Sequence, residues 1–144
     1  MGVLGEQAMG RTPAPQLEAV SRPLFQGRIG MPLHSQLRDR VERRLREYCQ
    51  DHIPERVRHQ IRLSYKIRAN HVTLLEGRPG IMDSAKWVDI VVAQFRFRPK
   101  DSMWRLYWAD RNSRWHEYVE ADPTYDLEDL LREVDEDPTG IFWG

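Results

Sequence analysis

The stretch Ile61-Arg62-Leu63-Ser64-Tyr65-Lys66-Ile67-Arg68-Ala69-Asn70-His71-Val72-Thr73-Leu74-Leu75-Glu76 decides the fold. Ile61, Leu63, Tyr65 and Ile67 alternate with Arg62, Ser64, Lys66 and Arg68, and a period of two is the signature of a strand with one face buried. Ala69-Asn70 is a tight turn into Val72, Leu74 and Glu76, so the two strands are predicted to pair as a hairpin. Everything else in the chain is read as what covers or extends that hairpin.

Upstream, Leu33, Leu37, Val41, Leu45, Tyr48 and Cys49 recur at steps of three and four. They form the apolar stripe of an amphipathic helix ending near His52, before Pro54. Its polar faces offer Asp39–Arg43 and Glu42–Arg46 as i,i+4 ion pairs. Residues 1–30 hold five of the nine glycines and three of the nine prolines with no apolar period, and read as a disordered extension. Met31 follows as an alternative first residue, and residues 31–144 are read as one domain.

Downstream, residues 77–85 read as a loop around Pro79-Gly80. Residues 87–97 are apolar on both parities in their first half, as a central strand requires. Residues 103–109 and 114–119 are the remaining strands, joined through Asp110-Arg111-Asn112-Ser113. Asp126 is an N-cap with Asp129 at N3, and Leu127, Leu130, Leu131 and Val134 supply the stripe of a second helix that Asp137-Pro138-Thr139-Gly140 ends. The predicted architecture is α+β: an N-terminal helix, an antiparallel sheet of about five strands and a C-terminal helix, with both helices on one sheet face.

The order Pro54, Val57-Arg58, Gln60, Leu63-x-Tyr65-x-Ile67, Val72-x-Leu74-x-Glu76-x-Arg78-Pro79 continues as Trp104-x-x-Tyr107-Trp108, Trp115-His116-x-Tyr118 and Asp137-Pro138-x-Gly140-x-Phe142-Trp143-Gly144. From Leu33 to Gly144 the chain resembles the bacterial family called domain of unknown function 3024. The resemblance implies a bacterial origin and a small single domain; no activity comes with it.

Composition narrows the function classes. The 144 residues are 40% apolar and 31% charged, which is a globular and not a disordered or collagenous composition. The apolar run Ile90 to Ala93 is far short of the roughly 20 residues a bilayer span needs, so no membrane partner is expected. Neither export nor lipidation is expected: no basic region leads into an apolar stretch near Met1, and Glu6 stands where a myristoylation signal needs Ser or Thr. The single Cys49 cannot form an internal disulfide, and the expected location is the cytoplasm.

Lys plus Arg and Asp plus Glu are both 22, but they are not mixed. Residues 1–119 hold 21 cations against 13 carboxylates, a net +8, and residues 120–144 hold one against nine, a net −8. Strand parity places part of the positive charge. With Ile61, Leu63, Tyr65 and Ile67 inward, Arg62, Lys66 and Arg68 share the outer face. Arg105, Tyr107, Arg114, His116 and Tyr118 join it if Trp104, Leu106, Trp108 and Trp115 point to the core, and Gln94, Arg96 and Arg98 extend it. Cations interleaved with Tyr and His resemble a platform on which single-stranded bases stack while Arg and Lys hold phosphates. The plainer reading of the same residues is an ordinary solvent face whose cross-strand pairs stabilise the sheet by a few tenths of a kcal/mol.

The acidic Asp135, Glu136 and Asp137 sit at the negative end of a helix dipole, at a cost of about 0.3 to 1 kcal/mol each, and call for a compensating partner among the protein's own arginines or in solvent. Ile141-Phe142-Trp143 is an apolar plug expected to dock on the domain itself, with a partner or a second copy as the alternative. Catalytic patterns are sparse. Cys49, His52 and His59 do not complete a four-ligand zinc site. Glu76-x-Arg78 has the outline of a metal-dependent nuclease strand with Asp83 or Asp89 as second carboxylate, but Arg78 cannot act as a proton-transfer base. No cofactor or resident metal is implied. The expectation is therefore a non-catalytic binding module whose basic sheet face takes single-stranded or structured nucleic acid. The alternative is a protein-interaction or self-association module, including a homodimer, and an uncharacterised metal-dependent hydrolase comes third.

Overall fold

The structure is a computed structural model and describes residues 32–143. The extension expected over residues 1–30 lies outside the described residues.

Helix α1 spans Ser35–His52, and the His34 imidazole caps it by accepting from the Leu37 N–H at 3.2 Å. Val41, Leu45 and Tyr48 on its stripe are buried. The backbone turns extended at Ile53, as the following Pro54 requires, and one turn of 3-10 helix over Glu55–Val57 leads into the sheet. On the solvent side the ion pair that forms is Arg38–Glu42 at 3.2 Å; neither Asp39–Arg43 nor Glu42–Arg46 closes.

Five strands follow as an antiparallel meander: β1 Arg62–Arg68, β2 His71–Pro79, β3 Trp87–Arg98, β4 Met103–Ala109 and β5 Trp115–Glu117, in spatial order β1-β2-β3-β4-β5. The Ala69-Asn70 turn closes the first hairpin with Arg68 opposite His71. Strand β2 runs three residues into the stretch expected to be loop, because Gly77, Arg78 and Pro79 pair with Asp89, Val88 and Trp87. A bulge opposite Leu74 and Leu75 inserts Val92 into β3. Residues 114–119 shrink to a three-residue strand.

Directly opposed residues share a face. Leu63, Tyr65 and Ile67 stand opposite Glu76, Leu74 and Val72, and the same face continues through Phe95 and Leu106, and through Phe97 and Trp104. Both helices bury their stripes here: Val41, Leu45 and Tyr48 of α1 join Leu127, Leu130, Leu131 and Val134 of α2 in one core with Phe95, Trp104 and Leu106. Each fully buried leucine is worth about 1.5 to 3 kcal/mol, which holds α1 on β1 and α2 on β3 and β4.

Helix α2 spans Leu127–Glu136, with the Asp126 carboxylate accepting from the Glu128 N–H at 3.0 Å. Asp137 ends it in a left-handed conformation at φ 42°. Its carboxylate then accepts the N–H groups of Phe142 at 3.1 Å and Trp143 at 2.8 Å, while the Trp143 indole donates to the Val134 carbonyl at 2.9 Å. Phe142 is buried against Tyr118 and Trp143 packs partly buried on the core, so these two residues of the terminal plug dock on the domain itself, while Ile141 stays exposed. No helix among the described residues is long and apolar enough to cross a membrane.

Candidate functional site

The sheet face turned away from both helices carries the cations. Register arranges them in rows across the strands. One row runs Lys66, Thr73, Gln94, Tyr107 and Glu117; the next runs Arg68, His71, Arg96 and Arg105. The Arg62–Gly77–Asp89 row lies to one side and the Arg98–Met103 pair to the other.

A hydrogen-bonded chain holds the centre. Gln94 Nε2 donates to Thr73 Oγ1 at 2.9 Å, and Arg96 Nε donates to Gln94 Oε1 at 2.6 Å. This lays the Arg96 guanidinium over the Tyr107 ring, 3.9 Å from its centroid. Burial pushes the Arg96 guanidinium below its ordinary pKa, with Tyr107 and Glu117 acting in the other direction. Beside it, burial and then the charges of Arg96 and Arg68 lower His71 to about 4, so its imidazole is neutral near pH 7. Among the described residues, Lys66, Arg68 and Arg96 pair with no carboxylate.

The flanking cations are engaged. Asp101 accepts from Arg105 at 2.8 Å and Arg98 at 2.5 Å and from the Met103 N–H at 3.1 Å, and those bonds hold its carboxyl well below the usual carboxylate range. Arg62 crosses over Gly77 to stack on Trp87, 4.1 Å from the ring centroid. A Cβ on Gly77 would lie 3.0 Å from Asp89 Oδ1 and 3.1 Å from Arg62 Cγ, so the bare glycine lets that side chain pass.

Of the eight residues expected to form this face, Arg62, Lys66, Arg68, Arg105 and Tyr107 are on it. Two are not. His116 stands opposite Trp108, on the helix side of the sheet; its ring stacks on that indole at 4.7 Å and Nε2 lies 2.8 Å from Asp110 Oδ2. That contact first, then backbone N–H groups, lowers Asp110 to about 2. Tyr118 is 3% exposed: its N–H bonds the Leu106 carbonyl and its hydroxyl donates to Glu133 at 3.0 Å. Arg114 is exposed in the turn before β5, on the parity of His116. The cause is the β4–β5 register, which opposes Ala109 to Trp115 and turns Trp115 outward; a one-residue slip exchanges every side chain's face.

Sequence reasoning missed His71, Thr73 and Trp115. His71 was within reach, since it lies across a two-residue turn from Arg68 and must share its face.

The acidic helix does not cover the cations. Glu128 pairs with Arg44 of α1, Asp135 accepts from Tyr48 at 2.6 Å with His52 3.4 Å away, and Asp137 holds the terminal amides, all on the other side of the sheet. Glu76 is tied to Arg78 at 2.6 Å, and no cluster of three or more metal-ligating side chains occurs among the described residues. Burial raises the Cys49 thiol to about 11, which leaves it protonated.

Residues 33–144 match the family model described as Domain of unknown function (DUF3024). The chain belongs to this family. No curated protein and no solved structure matches it. This DUF3024 domain thus presents a two-layer fold with one sheet face committed to the core and the other carrying Lys66, Arg68 and Arg96.

Proposed function

We propose that this DUF3024 domain is a non-catalytic module that binds single-stranded nucleic acid across the outer face of its sheet. The observation that carries the reading is the set Lys66, Arg68 and Arg96: three cations on one face that pair with no carboxylate among the described residues, opposite the acidic helix. Phosphates are the natural complement of such a set, and neighbouring strands about 4.8 Å apart space Arg68 and Arg96 about 10 Å across His71. The half-buried aromatic surface of Tyr107 and Trp115 lies on the same face, where bases can lie against rings. Because Arg96 already covers one side of Tyr107, the arginine belongs to the stacking surface as well as to the charge.

The test is fluorescence anisotropy with labelled single-stranded RNA and DNA across a salt series. Three phosphate contacts give a slope of log K against log salt of about −2, from about −0.7 per contact on single strands. Changing Lys66 and Arg68 together to Ala removes most of the slope and of the binding while leaving the circular dichroism unchanged, since both are exposed. Titrations that stay flat at low salt refute the reading.

A further inference from the structure

Strand β3 is longer than its neighbour. Its twelve residues pair with β2 along most of their length, but β4 pairs only with residues 94–98. Along residues 87–93 the backbone therefore has β2 on one side and, among the described residues, no strand on the other. Natural edges are protected by prolines, lysines or inward charges. This one has no proline, a single carboxylate in Asp89, and one irregularity in the Val92 bulge. Val88 and Ile90 are each 52% exposed and Val91 39%, and the adjoining loop leaves Ile81 and Met82 fully in solvent.

The side chains of this hairpin end also frame a cavity of about 560 Å³ between the loop and Val88 and Ile90. Among the described residues neither helix stripe reaches this end of the sheet, and Val88 and Ile90 lie outside the core cluster that the helices cover.

We propose that the free edge of β3 pairs with the same edge of a second copy of this chain, making one continuous sheet across a two-fold axis normal to it. An unpaired run of backbone donors and acceptors calls for a strand, and an identical strand laid antiparallel matches it by construction. Charge permits the pairing: residues 76–90 carry Arg78 and Lys86 against Glu76, Asp83 and Asp89, a near balance, whereas the basic outer face and the acidic α2 would each repel its own copy. Area permits it too. The exposed surface of Ile81, Met82, Val88, Ile90 and Val91 is on the order of 600 Å² per copy, close to the roughly 800 Å² per partner of a standard interface once backbone is added. The register follows from chemistry. Centring the axis on Ile90 sets Ile90 beside Ile90 of the other copy and opposes Asp89 to Val91; centring it on Asp89 would oppose two carboxylates. A two-fold normal to the sheet keeps both basic faces on one side.

Sedimentation equilibrium of the full chain over a range of micromolar concentrations tests this. The expected result is a two-copy mass that Ile90→Lys converts to one copy with an unchanged far-UV spectrum. Because a strand substitution can perturb folding, a second variant reads the register: Ile90→Cys in a Cys49→Ser background is expected to cross-link into a disulfide dimer on mild oxidation, and Arg111→Cys in the same background is not. A single-copy mass at every concentration overturns the proposal. A two-copy mass that survives Ile90→Lys without Ile90→Cys cross-linking overturns it by placing the interface elsewhere.

Discussion

Phe142→Ala separates a terminal plug that belongs to the core from one that serves a partner. Phe142 is 8% exposed, its ring centroid lies 5.0 Å from that of Tyr118, and its N–H is held by Asp137. Truncating a buried phenylalanine costs about 3 to 5 kcal/mol, part transfer and part cavity. A domain of this size has a total stability of about 6 to 17 kcal/mol at 0.05 to 0.15 kcal/mol per residue, so the loss is a large fraction of it. At about 4 °C per kcal/mol the midpoint falls by about 12 to 20 °C. Urea unfolding followed by tryptophan fluorescence gives the free energy, and an unchanged slope with denaturant shows that the native state remains compact. Ile141→Ala, at a side chain 38% exposed, is the internal comparison and is expected to cost under about 1 kcal/mol. If Phe142→Ala lies within about 1 kcal/mol of the parent, the packing of the C-terminus derived above is wrong.

Two further outcomes are expected. His71 has a folded pKa of about 4 against about 6.5 unfolded, so the unfolded chain takes up the proton first as pH falls. Its contribution is complete above about pH 6.5 and is lost toward pH 4, with a ceiling of about 3 kcal/mol from the shift and about half that after discounting solvent screening. His71→Gln should flatten the stability profile in that window; superimposable profiles would show that neither burial nor the Arg96 and Arg68 charges shift this imidazole. Ala69 holds φ at 54°, where a Cβ costs about 1 to 2 kcal/mol. Ala69→Gly relieves that strain at an entropic cost of about 0.5 to 1 kcal/mol and should raise the melting temperature by a few degrees, whereas a fall would show the turn to be unstrained.

The readable parts of the chain were those in which a period repeats often enough to leave no alternative. Val41, Leu45 and Tyr48 in α1 and Leu127, Leu130, Leu131 and Val134 in α2 are buried as their spacing requires. The β1 alternation and the Ala69-Asn70 turn together set which side chains face outward over residues 62–76. Strand β5 is the opposite case. Three residues hold no usable period, and an aromatic on either parity looks equally ready for burial. The two backbone bonds between Asp110 and its turn, with Ser113 at φ 63°, select the register that sends Trp115 out and Tyr118 in.

By itself the sequence determined the elements, their antiparallel order and the near half of the basic face, because local periodicity and turn chemistry are properties of adjacent residues. Tertiary structure alone decided three things. It turned His116 and Tyr118 away from the basic face, set the acidic helix behind the sheet instead of over the cations, and left residues 87–93 of β3 paired, among the described residues, with β2 alone. Each depends on which strand lies beside which and for how far. That is settled by hydrogen bonds and packing between residues distant in the chain, and no local pattern records it.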